Sequence, residues 1–283
     1  MMEYKTLNNG LKVPVLGFGV FQITDQDEAE QAVLHALQTG YRLIDTAAVY
    51  LNEEAVGRAI QKSGIPRSEI TLTTKLWITD ASYGGAMRAF ERSTKKLGTD
   101  YLDIFLIHQP YSDYYGAWRA LTELYRAGKV KAIGVSNFST GRLADLILNQ
   151  EVKPVLDQIE LHPYRGQAWQ RDTAAHFDVA IEAWSPFNQG KDGIFEDAVL
   201  TAIARKHEKT VPQVILRWQT QLGNMAIPKS THLERIKENF AIFDFKLTEE
   251  EMQQIASLDR APDSTGPREN YQLVERLNGI TLD

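Results

Sequence analysis

Four side chains of this sequence are of types that, brought together, would move a proton: Asp45, Tyr50, Lys75 and His108. A phenol titrates near pKa 10, too weak an acid at neutral pH unless a nearby cation stabilises its phenolate. Lys75 would supply that charge, Asp45 would pair with Lys75 and hold its ammonium in place, and His108 would donate to, or orient, a carbonyl oxygen. The chemistry such a set serves is protonation of a developing alkoxide. None of the four is a redox group and the chain has no cysteine, so an electron source must be bound; a nicotinamide would complete the site. Singly, each residue has an ordinary explanation: a solvated aspartate, a loop aromatic, a surface lysine, an interior histidine satisfied by backbone. Three of them, Asp45, Lys75 and His108, share a position at the end of a short apolar segment, and Tyr50 follows Asp45 in the next loop.

Those segments recur along the chain. Short apolar runs centred on Leu16, Ile44, Leu72, Phe105, Ile133, Asp157, Ile181 and Ala226 read as eight strands, each bounded by polar residues. Between them, helical apolar spacing occupies residues 27–37, 53–60, 83–97, 115–125, 143–148 and 169–176. Two consecutive helices follow at 199–207 and 211–222, then further helices at 233–239 and 249–258. Eight strand–helix units without a Pro- or Gly-rich linker imply one α/β domain over residues 1–283, a (β/α)8 TIM barrel. Ahead of it, Tyr4 to Leu7 and Leu11 to Pro14 flank Asn8-Asn9-Gly10, the signature of an N-terminal β-hairpin that caps one end of the core. The segment from Asp259 onward, rich in Pro, Gly and charge, reads as a C-terminal loop over the barrel mouth.

In such a barrel the carboxyl ends of the strands form the working face. Asp45, Lys75, His108, Ser136, Asn137, Gln158, Glu160, Trp184, Lys229 and Ser230 all fall there. Gly17-Phe18-Gly19 starts like a dinucleotide fingerprint, but residue 22 is Gln and no helix start follows, so both glycines read as close-approach positions. Phosphate is expected instead near the last strands, where Ser230 or Thr231 can cap a helix and Lys229 and Arg235 supply positive charge.

Composition narrows the partners. Lys and Arg number 31 against 37 Asp and Glu, a net charge of −6, which offers no general attraction to nucleic acid or acidic membranes. Residues 1–10 are mixed polar without a signal-like apolar core, and no window approaches 18 consecutive apolar residues. A cytoplasmic protein without membrane or nucleic-acid partners is the expectation, with a monomer assumed. With no cysteine there is neither a disulfide nor a thiolate-ligated metal, and no metal site is expected.

The contexts Ile44-Asp45-Thr46-Ala47, Val49-Tyr50-Leu51-Asn52-Glu53-Glu54, Thr74-Lys75-Leu76-Trp77 and Leu106-Ile107-His108 resemble the catalytic tetrad of the aldo-keto reductases. The similarity runs from Leu7 to about Leu258. It takes in Gly134-Val135-Ser136-Asn137-Phe138, Gln158-Ile159-Glu160-Leu161-His162-Pro163 and Ile227-Pro228-Lys229-Ser230. Within the family the chain looks most similar to the bacterial 2,5-diketo-D-gluconate reductase group.

The resemblance implies NADPH-dependent reduction of aldehydes, α-dicarbonyls or keto sugars to alcohols, with Tyr50 as general acid. It also implies cofactor contacts. Ser136, Asn137 and Gln158 would bond the nicotinamide carboxamide, and Trp184 stands where the family often stacks a Tyr on the ring. Ser185, Phe187, Gln189 and Lys191 would run along the pyrophosphate. Lys229, Ser230, Thr231 and Arg235 would hold the 2'-phosphate, with Glu238 and Asn239 at the adenine. Phe21, Trp77 and Tyr111, beside Tyr50 and His108, would wall the substrate, and the segment with Arg268 and Tyr271 corresponds to the specificity loop. Gln109 replaces the Trp that commonly follows the catalytic histidine. Two other classes fit parts of this pattern: a nicotinamide-binding or sensing protein on the same fold without turnover, and a metal-dependent barrel hydrolase using His108, His162 and Asp45.

Overall fold

Alternation of side chains along short parallel strands sets the architecture. The computed structural model describes residues 2–260 and 271–282. A hairpin comes first, β1 (Tyr4–Thr6) antiparallel to β2 (Lys12–Pro14), with Tyr4 opposite Pro14. The eight parallel strands are β3 (Phe18–Gly19), β4 (Leu43–Asp45), β5 (Thr71–Leu76), β6 (Leu102–Ile107), β7 (Val130–Ser136), β8 (Leu156–Glu160), β9 (Ala180–Trp184) and β10 (Met225–Ala226). They lie in sequence order across the sheet. The sheet closes on itself: Leu16 pairs in parallel with Ala226, whose carbonyl accepts from the Gly17 amide at 2.9 Å. Gly17 and Gly19 are close-approach residues at this seam, as expected. A Cβ on Gly17 would lie 2.6 Å from the Leu43 side chain, and one on Gly19 would lie 3.0 Å from the Ile227 carbonyl oxygen.

Successive side chains on a strand face opposite sides. Leu43, Ile104, Leu106, Ala132, Leu156, Ala180, Met225 and Ile227 pack together inside the barrel, and Leu7 and Val13 of the hairpin region join that cluster. The hairpin thus plugs the barrel floor. The alternate set, including Ile44, Leu72, Leu76, Phe105, Ile107, Ile133, Val135, Ile159, Ile181 and Ala183, packs outward. It meets the helices α1 (Gln26–Thr39), α2 (Glu53–Ser63), α3 (Tyr83–Leu97), α4 (Tyr114–Arg126), α5 (Thr140–Asn149), α6 (Ala168–His176), α7 (Ala198–Lys206), α8 (Val211–Gln221), α9 (Leu233–Phe240) and α10 (Glu249–Ala256). Asp25 caps α1, accepting from the amides of Asp27 and Glu28, and Gly40 ends it at φ 123°. No helix among the described residues is long and apolar enough to cross a membrane.

The tail departs from expectation. Read as loop because Pro and Gly dominate its start, it contains a helix, α11 (Tyr271–Asn278), in which Leu273, Val274 and Leu277 keep helical spacing. Beyond α11 the chain crosses to the barrel mouth, where the Ile280 carbonyl accepts from Trp77 Nε1 at 3.0 Å. Arg268 lies outside the described residues.

Two rim loops are tied together by one fully buried amide. Asn52 Nδ2 donates to the carbonyls of Val20 and Ile23, both at 3.0 Å, while its Oδ1 accepts from the Thr46 hydroxyl at 2.9 Å. Asn52→Ala would strand the Ile23 carbonyl and the Thr46 hydroxyl, each costing about 1–3 kcal/mol when buried without a partner, and would leave the Val20 carbonyl only the Ile23 amide, which donates to it at 3.2 Å. The expected loss of unfolding free energy is roughly 2–4 kcal/mol by urea titration. A variant as stable as the parent would mean that the loops are held by other contacts.

Candidate active site

Inward alternation carries the polar residues as it carries the apolar ones. Counting by two from the floor, Leu43 leads to Asp45, Leu106 to His108, Gly134 to Ser136, Leu156 to Gln158, and Ala180 through Glu182 to Trp184. The barrel therefore has an apolar floor and a polar upper layer.

At its centre is Lys75, on the inward face of β5 and inaccessible to solvent. Its Nζ donates to Asp45 Oδ1 at 2.6 Å, to the Thr46 carbonyl at 2.9 Å and to the Tyr50 hydroxyl at 3.4 Å. Burial works against the ammonium, but the charge of Asp45 and the neighbouring phenol outweigh it, holding Lys75 above its ordinary value. Asp45 feels the opposite tendency, burial pushing its carboxyl upward against the pull of Lys75. Three acceptors around Nζ favour the charged pair. Asp45 Oδ2 also accepts from Gln158 Nε2 at 2.8 Å.

Tyr50 stands at the end of a short 3-10 turn, Ala48–Tyr50, packed against the ring of Phe21 at 5.0 Å and edge-on to His108 at 5.6 Å. The expectation of a phenol made more acidic needs correction. Lys75 acts in the expected direction, but burial outweighs it and Asp45 adds to the upward push, so Tyr50 lies above its ordinary value. The hydroxyl is protonated throughout the physiological range, and Lys75 limits rather than reverses the cost of releasing that proton.

His108 follows β6 directly and sits in an aromatic box, edge-on to Trp77 at 5.2 Å as well as to Tyr50. Its Nδ1 is buried with no hydrogen-bond partner among the described residues. An enclosed lone pair costs less than an enclosed N–H, so the proton belongs on Nε2. Burial, reinforced by the Lys75 charge, holds the ring well below its ordinary pKa. His108 is a neutral donor.

On the adjoining rim, Asn137 adopts φ 62°. Its Nδ2 donates to the His108 carbonyl and to Ser136 Oγ, both at 3.1 Å, and its Oδ1 accepts from Trp184 Nε1 at 3.0 Å. Ser136 Oγ in turn donates to the Gln158 carbonyl at 2.8 Å. The Trp184 indole N–H thus locks the aromatic to Asn137. Ser185, at φ 51°, has a buried hydroxyl without a partner among the described residues. Phe187 packs on Phe195, while Gln189 and Lys191 are exposed.

The last expected group surrounds the start of α9. Neither Ser230 nor Thr231 caps α9, whose N-cap is His232 without a side-chain cap bond; Ser230 Oγ instead accepts from the His232 amide at 3.1 Å, and Lys229 and Arg235 are exposed, with Thr231 partly so. The Glu238 carboxylate accepts from the Thr210 hydroxyl at 2.9 Å and is drawn toward the start of α8; Asn239 is buried. Tyr111 lies under the Arg142 guanidinium at 5.7 Å. His162 belongs elsewhere, its Nε2 3.7 Å from Glu160. No group of three or more His, Asp or Glu able to hold a metal exists among the described residues, so His108, His162 and Asp45 do not form the hydrolase centre considered above.

One buried acid was missed by sequence reasoning. Glu182 Oε2 accepts from the same Gln158 nitrogen, at 2.7 Å, that serves Asp45. Its signal was legible: an acid two residues before Trp184, sharing the inward alternation of an otherwise apolar strand.

Fold and site define a barrel enzyme with a buried ion pair beneath a proton-donating phenol. The aldo/keto reductase family model matches residues 15–192 and 194–260, and the chain belongs to that family. It is 47% identical over 255 residues to a glyoxal reductase of Bacillus subtilis (strain 168), covering 90% of this chain and 92% of the relative. Among solved structures, an aldo/keto reductase from Brucella melitensis is 50% identical with a TM-score of 0.88, covering 92% of this chain and all of that one. A Bombyx mori aldo-keto reductase in complex with NADP is 35% identical, TM-score 0.88, covering 92% and 94% respectively.

Because His108 stays neutral, the pH profile of carbonyl reduction should lack an acid limb at the ordinary histidine value of about 6.5. An acid limb there that disappears in His108→Gln would show that the imidazole titrates during turnover.

Proposed function

We propose that the chain reduces aldehydes, α-dicarbonyls and keto sugars to alcohols with NADPH, using Tyr50 as the acid. The observation that carries this reading is the buried Lys75 ammonium, bound to Asp45 and within 3.4 Å of the Tyr50 hydroxyl. Binding alone has no need of a charge held there at the cost of desolvation. Bound NADPH supplies the hydride. Tyr50 gives its proton to the oxygen of the reduced carbonyl, Lys75 stabilises the phenolate left behind, and Asp45 keeps the ammonium aimed. His108, neutral, donates from Nε2 to the same oxygen before the proton moves.

The residues present fit the cofactor. Ser136 and Asn137 have committed their hydrogens to internal bonds, as has Gln158 Nε2, so these three side chains offer acceptors; that suits the N–H2 of the nicotinamide carboxamide. Trp184 would stack on the ring. The Ser185 hydroxyl, without a partner among the described residues, suits a phosphate oxygen, with Phe187, Gln189 and Lys191 along the same loop. Lys229, Ser230, Thr231 and Arg235 would hold the 2'-phosphate at the start of α9. Glu238, turned to Thr210, does not oppose that phosphate, and with Asn239 it would flank the adenine.

Phe21 against Tyr50 and Trp77 against His108, with Tyr111, would wall a pocket suited to small carbonyls. The similarity to a glyoxal reductase supports α-dicarbonyls, and the resemblance to the 2,5-diketo-D-gluconate reductase group supports keto sugars. A cytoplasmic monomer, one barrel domain over residues 1–283 without nucleic-acid partners, completes the reading.

Purified protein should consume NADPH when given methylglyoxal or a nitrobenzaldehyde. Intact NADPH binding with no turnover across a broad carbonyl screen would leave a sensing protein instead. Tyr50→Phe should bind NADPH normally and lose roughly 10² to 10⁴ in turnover, the span of a positioned general acid; wild-type rates would move the acid role to His108. Arg235→Ala should weaken NADPH about tenfold or more, the worth of one charged contact, and leave NADH almost unchanged. Equal losses for both cofactors would place Arg235 away from the 2'-phosphate.

A further inference from the structure

Glu182 is fully buried on the inward face of β9, with Gln158 of β8 and Met225 of β10 as its register neighbours. The two hydrogens of Gln158 Nε2 are divided between two carboxyls, one reaching Asp45 Oδ2 at 2.8 Å and the other Glu182 Oε2 at 2.7 Å. A single ammonium, Lys75, stands against this pair of acids, and it is in contact with Asp45. Two anions bridged by one neutral amide in a closed interior would leave one charge uncompensated, far costlier than an unmet neutral oxygen. We propose that Glu182 is a positioning residue of the reductase site, carrying the proton that the Asp45–Lys75 pair cannot hold and fixing the Gln158 amide for the carboxamide.

The surroundings agree. The charged groups acting on Glu182 are Asp45 of β4 and Lys75 of β5; its strand neighbours Gln158 and Met225 carry no charge. Burial first, and then the Asp45 charge, push the Glu182 carboxyl up to about 8. Its Oε1 has no partner among the described residues, as a carboxylate so enclosed could scarcely tolerate. While Glu182 is neutral, Lys75 serves Asp45 and Tyr50 undivided. Once it ionises, a second negative charge lies beneath the phenol, in the direction that holds the Tyr50 proton more tightly. With both N–H groups committed, Gln158 presents its Oε1 in one orientation only.

This role rests on the reductase reading above, and the test separates the two. Glu182→Leu removes the acceptor, and Glu182→Gln restores one that cannot ionise. Glu182→Leu should weaken NADPH about tenfold, and Glu182→Gln should recover most of that loss. In wild type kcat/KM should fall as pH rises through about 8; in Glu182→Gln that limb should move up by about one unit or vanish. An infrared difference between wild type and Glu182→Gln should contain a protonated carboxylic-acid band at neutral pH that fades through the same range. The difference spectrum is needed because burial also raises Asp157, to about 7. Absence of the band, an unchanged alkaline limb, or a Gln variant as impaired as Leu at neutral pH would overturn the proposal. If wild type reduces no carbonyl, the functional reading fails, and the infrared band still decides the state of Glu182.

Discussion

An ammonium without access to water is the constraint on which this structure depends. Lys75 keeps its charge because Asp45, the Thr46 carbonyl and the Tyr50 hydroxyl surround Nζ. Removing one partner of such a pair costs about 3–5 kcal/mol, because the other is left as an uncompensated buried charge. The contact joins β4 to β5 and the Tyr50 loop to both. It links barrel stability to the placement of the proton donor, so the charge that assists Tyr50 also holds the strand ends in register.

Two-residue alternation then sorts the rest. Leu43, Leu106 and Leu156 close the floor with help from Leu7 and Val13 of the hairpin region, while two positions further along the same strands stand Asp45, His108 and Gln158. The polar layer lies toward the rim, and the seam at Leu16 and Ala226 closes the eight-stranded sheet. Gly17 and Gly19 let that seam close tightly, which is why they belong to packing and not to a phosphate loop.

The rim is strained where the interior is regular. Asn137, Ser185 and Gln189 adopt left-handed backbone angles without being glycine, at about 1 kcal/mol each. These three lie in the loops after β7 and β9, and are three of eleven non-glycine residues with positive φ among the described residues. The Trp184 indole bonded to Asn137 and the Asn52 amide bridging Val20, Ile23 and Thr46 hold neighbouring loops in these arrangements. Such ties let loop residues act with the precision of a strand.

Eight apolar runs, the hairpin turn at Asn8-Asn9-Gly10 and the family motifs around the tetrad were legible in the sequence because each is local: periodicity, turn chemistry and motif order survive without coordinates. Barrel closure and the Asp45–Lys75 pair were legible too; the protonation states were not. The Tyr50 phenol lies above its ordinary value, against the expectation from Lys75 alone, because burial is a sum over distant strands that no short stretch reports. Glu182 was legible as an inward acid but the amide it shares with Asp45 was not, because Gln158 lies 24 residues away; two of the three partners of Asn52 lie 29 and 32 residues away. The helix at Tyr271–Asn278 was hidden by the Pro and Gly before it. The sequence by itself determined which residues face inward and in what order they reach the rim, because alternation is a property of the strand. Only the tertiary structure decided which of the inward acids bears a charge, because that depends on one ammonium and two carboxyls meeting across a closed barrel where water cannot screen them.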